Sequence, residues 1–180
     1  MEFVSGMKRT DYCGNFRAAD VGKEITVFGW VQRARNLGSL IFIDLRDRTG
    51  VIQLAFDENT EKSVFEKAAA ARSEYVLAAK GIVRERSSKS DKLPTGDIEV
   101  FVNELRILAK SETTPFEIVP NCTTAETTRL KYRYLDLRRP DLQKNILFRN
   151  KVAKITRDYF YDNGFIEIET PILMKSTPEG

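Results

Sequence analysis

The sequence contains no histidine among its 180 residues, and its two cysteines, Cys13 and Cys122, are far apart. A histidine general base is therefore excluded, and so is a zinc site, because such sites are built from closely spaced Cys and His ligands. No stretch reaches the ~18 to 20 consecutive apolar residues that a membrane-spanning helix needs. The N-terminus has no basic run followed by a long apolar core, as a signal peptide would have. We therefore expect a cytoplasmic protein with free thiols, no metal site and no membrane association.

Charge is unevenly distributed along the chain. The net charge is only +3, yet residues 129–157 contain ten Lys or Arg side chains and two acidic ones. A basic stretch of this kind is typical of surfaces that meet phosphate-rich partners. A solvated helical face is the alternative interpretation. Hydrophobic residues make up 42% of the chain, which is ordinary for a folded protein.

Alternating apolar and polar residues predict a mainly β first part. Ile41, Ile43 and Leu45 share one face of a predicted strand, as residues packed on a core must. In chain order, the pattern predicts three strands between residues 23 and 57, a helix at 58–72, and strands at 75–83 and 97–108. This order, within about 100 residues, matches the five-stranded OB-fold barrel. We therefore predict a barrel domain over residues 1–110.

The remainder of the chain has a different pattern. Residues 111–139 are rich in Thr and Pro and predict a hinge with a short helix. Pro140 suits the first position of a longer helix, and Gly164 suits its end. A strand is predicted at 164–173, and nothing downstream in the sequence can cover its apolar residues. We therefore expect residues 140–180 to begin a second domain.

An OB-fold usually binds single-stranded nucleic acid across its second and third strands and the flanking loops. Arg33 and Arg35 fall in the predicted loop between the first two strands, and Arg84 and Arg86 fall in the loop between the last two. Both loops are thus basic, as a phosphate-binding surface requires. Basic side chains in surface loops are nevertheless common, so charge alone does not decide the function.

Three side chains sharpen the nucleic-acid hypothesis. The alternation that buries Ile41 and Ile43 turns the ring of Phe42 to the opposite face, where an unpaired base can stack on it for ~1 to 3 kcal/mol. Gln53, also outward, can read a base edge with its amide, and Glu99 can accept a hydrogen bond from a base. The alternatives are that Phe42 packs under a loop and that Gln53 and Glu99 face water.

No catalytic residue is predicted in these 180 residues. Glu167 and Glu169 alternate along the predicted strand, which is compatible with a catalytic pair. Their flanking isoleucines favour an exposed strand face or interface contacts instead. The sequence also offers no activated nucleophile.

Several motifs together resemble bacterial-type aspartyl-tRNA synthetases of class II. They occur in the expected order over nearly the whole chain, namely at residues 12–14, 29–33, 40–48, 130–140 and 176–180. The resemblance implies an anticodon-binding barrel, a hinge, and the initial helix and strand of an α+β catalytic domain. The long helix and the strand ending at Pro171 would then be motif 1, which forms the dimer interface in this class.

The resemblance also implies roles for individual residues. Phe42 matches the ring on which an anticodon base stacks, and Gln53 matches a side chain that reads a base. Arg35 and Glu99 match further anticodon contacts. Glu179 matches a glutamate that binds the amino group of the substrate aspartate. Three more arginines belong to the same anticodon surface: Arg33, Arg84 and Arg86.

The implied whole enzyme is a homodimer that uses ATP and Mg²⁺ to form aspartyl-adenylate and then charges a tRNA with a GUC anticodon. Motifs 2 and 3, which hold ATP and the aspartate side chain, are absent from these 180 residues. We therefore expect this fragment alone to be inactive and to bind no cofactor. Two alternatives remain, an asparaginyl- or lysyl-type synthetase fragment and a free-standing OB-fold nucleic-acid-binding protein. The sequence does not decide whether the enzyme also charges asparagine tRNA.

Overall fold

The first compact unit of the chain, which ends at Pro115, is a closed five-stranded barrel. The computed structural model describes residues 2–173 and residue 175. The strand order around the barrel is β1-β2-β3-β5-β4, and β3 pairs with β5 in parallel. This is the OB-fold topology, so the predicted fold class is confirmed. The elements are β1 Glu24–Asn36, β2 Ile41–Arg46, β3 Val51–Phe56, α1 Lys62–Ala70, β4 Val76–Glu85 and β5 Ile98–Ala109.

The barrel forms because each strand alternates as the sequence predicts. Ile41, Ile43 and Leu45 of β2 are at most 1% exposed and lie in one hydrophobic core with residues from all five strands. Adjacent strands can approach closely enough to close the barrel because glycine occurs where two backbones are in contact. A Cβ on Gly81 of β4, for instance, would collide with the carbonyl oxygen of Phe101 on β5. Glycine there permits the pairing that fixes the position of Phe101.

The second compact unit begins at Phe116 and is helical in the part that the structure describes. A small core of Phe116, Ile118 and Leu135 holds its first segment together. The predicted short helix is divided into two helices, α2 Glu126–Lys131 and α3 Arg133–Asp136. The long helix, α4 Pro140–Asp162, begins at proline as predicted. Within residues 2–173, no helix combines the length and apolarity needed to cross a membrane.

The segment after α4 differs from the prediction. Gly164 adopts a φ of +84°, which ends the helix as expected. Residues 165–173, however, form no strand, and Pro171 is exposed. A strand needs a neighbouring backbone to satisfy its N–H and C=O groups, and no other strand occurs in the described part of this unit. The observed division at Pro115 places residues 116–139 of the predicted hinge in the same unit as α4.

Candidate nucleic-acid interface

Cross-strand pairing places outward residues of all five strands in two adjacent rows. Each row crosses the barrel in the order β1, β2, β3, β5 and β4. We name the first the aromatic row, and it consists of Arg35, Phe42, Ala55, Phe101 and Ile82. We name the second the polar row, and it consists of Arg33, Asp44, Gln53, Glu99 and Arg84.

Gln53 lies at the centre of the polar row. Its Nε2 donates to Oε2 of Glu99 at 2.7 Å, and its Oε1 accepts from Nη2 of Arg35 at 3.0 Å. The same Arg35 nitrogen donates to Oδ1 of Asp44 at 3.1 Å. Gln53 is therefore on the predicted face but only 6% exposed. Neighbouring side chains occupy both ends of its amide, and its role in reading a base remains a prediction.

Glu99 links Gln53 to a second arginine. The Nε of Arg84 donates to Oε1 of Glu99 at 2.8 Å, and Nη1 of Arg84 donates to Oδ2 of Asp57 at 3.2 Å. Glu99 is 5% exposed, so it does not face water. The hydrogen bonds run without a break from Arg35 to Arg84, and the buried carboxylate of Glu99 is matched by a cation, as burial of a charge requires.

The carboxylate of Asp57, just after β3, strengthens this arrangement. Burial alone would raise the pKa of Asp57, but hydrogen bonds from the Asn59 backbone N–H and from Arg84 lower that pKa below its ordinary value. Asp57 is therefore ionised at neutral pH and holds Arg84 in place.

The aromatic row carries two phenylalanine rings on the outer face. Phe42 and Phe101 are both half-buried. The guanidinium carbon of Arg35 lies 5.6 Å from the centre of the Phe42 ring, and that of Arg84 lies 4.9 Å from the centre of the Phe101 ring. Each ring is thus paired with a cation from a neighbouring strand. The outward position of Phe42 is as predicted, and its role in stacking remains a prediction.

The arginines are placed on strands rather than in loops, with one exception. β1 continues to Asn36 because its ladder with β2 extends to the pair Asn36 and Ile41, so Arg33 and Arg35 are strand residues. Arg84 belongs to β4, where it pairs with Glu99 on β5. The prediction that these three arginines lie in loops is therefore wrong. Their long side chains still reach the outer face.

Arg86 is the exception, since it follows the end of β4. Its backbone N–H donates to the carbonyl of Asp97 at 2.9 Å, which anchors the start of the loop. The Nε of Arg86 is buried and has no hydrogen-bond acceptor among the described residues. Arg33, in contrast, is exposed.

Sequence reasoning missed part of this site and placed part of it elsewhere. Asp44 and Asp57 were not recognised as partners of the arginines, although Asp44 shares the alternation that exposes Phe42. Glu179 lies outside the described residues, so its predicted role is unsupported by geometry. Among residues 2–173 and 175, no three Cys, Asp or Glu side chains lie close enough together to hold a metal ion.

Two family models match separate parts of the chain. Residues 25–108 match the OB-fold nucleic acid binding domain, and residues 125–180 match the class II tRNA synthetases described as D, K and N. The first match covers nearly all of the barrel strands with both rows, and the second covers the helices α2, α3 and α4.

Similar proteins with curated names cover the whole chain. An aspartate–tRNA ligase of Ruminiclostridium cellulolyticum is 54% identical over 99% of this chain, and so is an aspartate–tRNA(Asp/Asn) ligase of Thermoanaerobacter sp.. The chain spans only 30% and 31% of the length of these two relatives. Among solved structures, an aspartyl-tRNA synthetase from Entamoeba histolytica aligns over 94% of this chain and 40% of its own with a TM-score of 0.84. At 22% identity, that similarity supports the fold alone.

Proposed function

Because this chain belongs to the class II aspartyl-tRNA synthetases, as part of their N-terminal region, we propose that its barrel binds the anticodon loop of aspartate tRNA. The observation that carries the proposal is the outer face of the barrel. There a half-buried aromatic ring, Phe42, stands beside a continuous network of hydrogen-bonding side chains. Stacking holds an unpaired base, and fixed polar groups read its edge.

The burial of Gln53 and Glu99 in the polar row supports selection of the GUC anticodon. A base that reaches Gln53 and Glu99 exchanges hydrogen bonds with groups that are already desolvated. A wrong base leaves one of those groups unpaired, at a cost of about 1 to 3 kcal/mol. Arg33, Arg35, Arg84 and Arg86 add positive charge for the phosphates, which supplies affinity independent of sequence.

The whole enzyme is proposed to activate L-aspartate with ATP and Mg²⁺ and to transfer the aspartyl group to its tRNA. No step of that chemistry is assigned to residues 2–173 or 175. Glu179 is proposed to contact the aspartate amino group. We also propose a cytoplasmic homodimer in which Pro171 lies at the interface.

The exposed side of α4 supports the homodimer. Leu147 and Phe148 are each 67% exposed, and Ile155 is 56% exposed. An apolar helix face of this extent is typical of a surface that is covered in the assembled protein.

A comparison of three transcripts tests the anticodon proposal. One tRNA body would carry the aspartate anticodon GUC, the asparagine anticodon GUU or the lysine anticodon UUU, and equilibrium affinity for the 180-residue chain would be measured. We expect GUC to bind more tightly than UUU by about 1 to 3 kcal/mol. Equal affinity for GUC and GUU would assign the chain to the relatives that act on both tRNAs. Equal affinity for all three would contradict anticodon recognition and favour a general single-strand-binding protein.

A further inference from the structure

We propose that Phe101 is a second base-stacking platform, so that the barrel holds two unpaired bases on separate rings. This inference rests on the proposed function, since it concerns the same nucleic-acid surface. It adds a second binding residue on β5, the strand that also carries Glu99.

The position of Phe101 repeats that of Phe42. Both rings belong to the aromatic row, and Ala55 on β3 pairs with each of them from opposite sides. Because adjacent strands lie about 4.8 Å apart, the two phenylalanine Cα atoms are separated by about 9 to 10 Å. The side chain of Ala55 between them is small and is 0% exposed.

The surroundings of the two rings are also alike. Each is half-buried, and each has an arginine guanidinium over it, Arg35 at 5.6 Å from Phe42 and Arg84 at 4.9 Å from Phe101. A guanidinium plane is itself a stacking partner for a nucleobase. A base at either position can therefore lie against a ring and beside a cation.

The polar row connects the two platforms. Arg35 and Arg84 are the two ends of the hydrogen-bonded chain through Gln53 and Glu99. The same two arginines that accompany the rings therefore orient the groups that read base edges. Beyond Phe101, Ile82 is 42% exposed and extends the apolar surface of the row.

A ring that serves only to cover the barrel would be replaced by leucine without effect on RNA affinity. We therefore compare the 180-residue chain with its Phe101→Leu and Phe42→Leu variants. The ligands are an anticodon stem-loop with the GUC sequence and three versions that each lack one anticodon base. Phe3→Leu is the matched control, because Phe3 is 80% exposed and its carbonyl is held by Arg106 near the far end of β5.

We expect Phe101→Leu to weaken binding of the intact stem-loop by about 5- to 140-fold, the loss of one stacked base. One of the abasic stem-loops lacks the base that stacks on Phe101. For that ligand, Phe101→Leu should weaken binding by only about twofold or less. Phe42→Leu should lose its effect at a different abasic position. Phe101→Tyr should bind as the parent does, which separates loss of the ring from a folding defect.

Two results would overturn the inference. One is an unchanged affinity of Phe101→Leu while Phe42→Leu is weakened, and the other is loss of both effects at the same abasic position. Either result leaves anticodon binding by the barrel intact. Failure of the parent chain to bind the intact stem-loop would instead remove the proposed function itself.

Discussion

The Nε2 of Gln53 donates to the Oε2 of Glu99 at 2.7 Å, which joins the parallel strands β3 and β5 through their side chains. The two residues are 46 positions apart in the sequence. Because the other end of the amide accepts from Arg35, the orientation of Gln53 is fixed before any ligand arrives. Side chains ordered in advance lose less conformational entropy on binding. Gln53 and Glu99 are thus preorganised.

Glu99→Gln should destabilise the barrel by about 1 to 3 kcal/mol. The variant keeps the shape of the side chain but removes the negative charge that Arg84 meets at 2.8 Å. Its amide nitrogen would also face a donor, either Arg84 or the Nε2 of Gln53. The free energy of unfolding in urea measures the effect.

Glu104→Gln is the control for this substitution, since Glu104 lies on the same strand and pairs with Arg106 at the surface. Its side chain is 44% exposed, so the loss should be about 1 kcal/mol or less. Equal losses for the two variants would show that burial of Glu99 does not make its interactions stronger.

Phe42→Ala should weaken binding of the GUC tRNA by about 1 to 3 kcal/mol, the contribution of one base stacked on a ring. The ring lies outside the hydrophobic core, so the variant should still unfold cooperatively. Equilibrium titration with labelled tRNA measures the affinity. Phe3→Ala provides the control, because it removes an equally large ring that is 80% exposed. An unchanged dissociation constant for Phe42→Ala would refute its stacking role.

The barrel could be predicted because the alternation of apolar and polar residues that indicates each strand is a local sequence pattern. Alternation on β2 sends Ile41 to the core and Phe42 outward, and the structure has both as expected. The motifs that resemble aspartyl-tRNA synthetases were likewise sufficient for the family, which the comparisons confirm.

The parts that escaped prediction depend on distant partners. Gln53 is buried because Arg35 from β1 and Glu99 from β5 contact its side chain. The alignment of those strands with β3 cannot be predicted from a local sequence pattern. The predicted strand at 164–173 failed for the same reason, since strand formation depends on a partner that its own residues do not specify.

Arg86→Ala should reduce the salt dependence of tRNA binding. If its guanidinium contacts one phosphate, the slope of log affinity against log salt should become shallower by about 0.7 to 1. Affinity titrations from low to high salt measure that slope. The matched control is Lys62→Ala, which removes an exposed cation at the start of α1 and should leave the slope unchanged. A slope unaltered by Arg86→Ala would exclude a phosphate contact.

A buried carboxylate organises the second unit. Asp136 is 0% exposed, and its oxygens accept from Arg139 at 3.0 Å and from Arg133, while Arg129 lies 3.7 Å away. Since α2 and α3 are only 6 and 4 residues long, local helix propensity alone does not hold them. The ion cluster around Asp136 and the small hydrophobic core must supply that stability.

Asp136→Asn should therefore lower the free energy of unfolding of this unit by about 3 to 5 kcal/mol, because it leaves three guanidinium groups around a side chain that has lost its charge. Amide hydrogen exchange of residues 126–136 is the direct measurement, and exchange there should become faster. Asp141→Asn is the matched control, because Asp141 also pairs with Arg139 but is 37% exposed. Its effect should be about 1 kcal/mol or less. If both variants exchange at the parent rate, the carboxylate of Asp136 does not hold α2 and α3, and the small core of Phe116, Ile118 and Leu135 must do so alone.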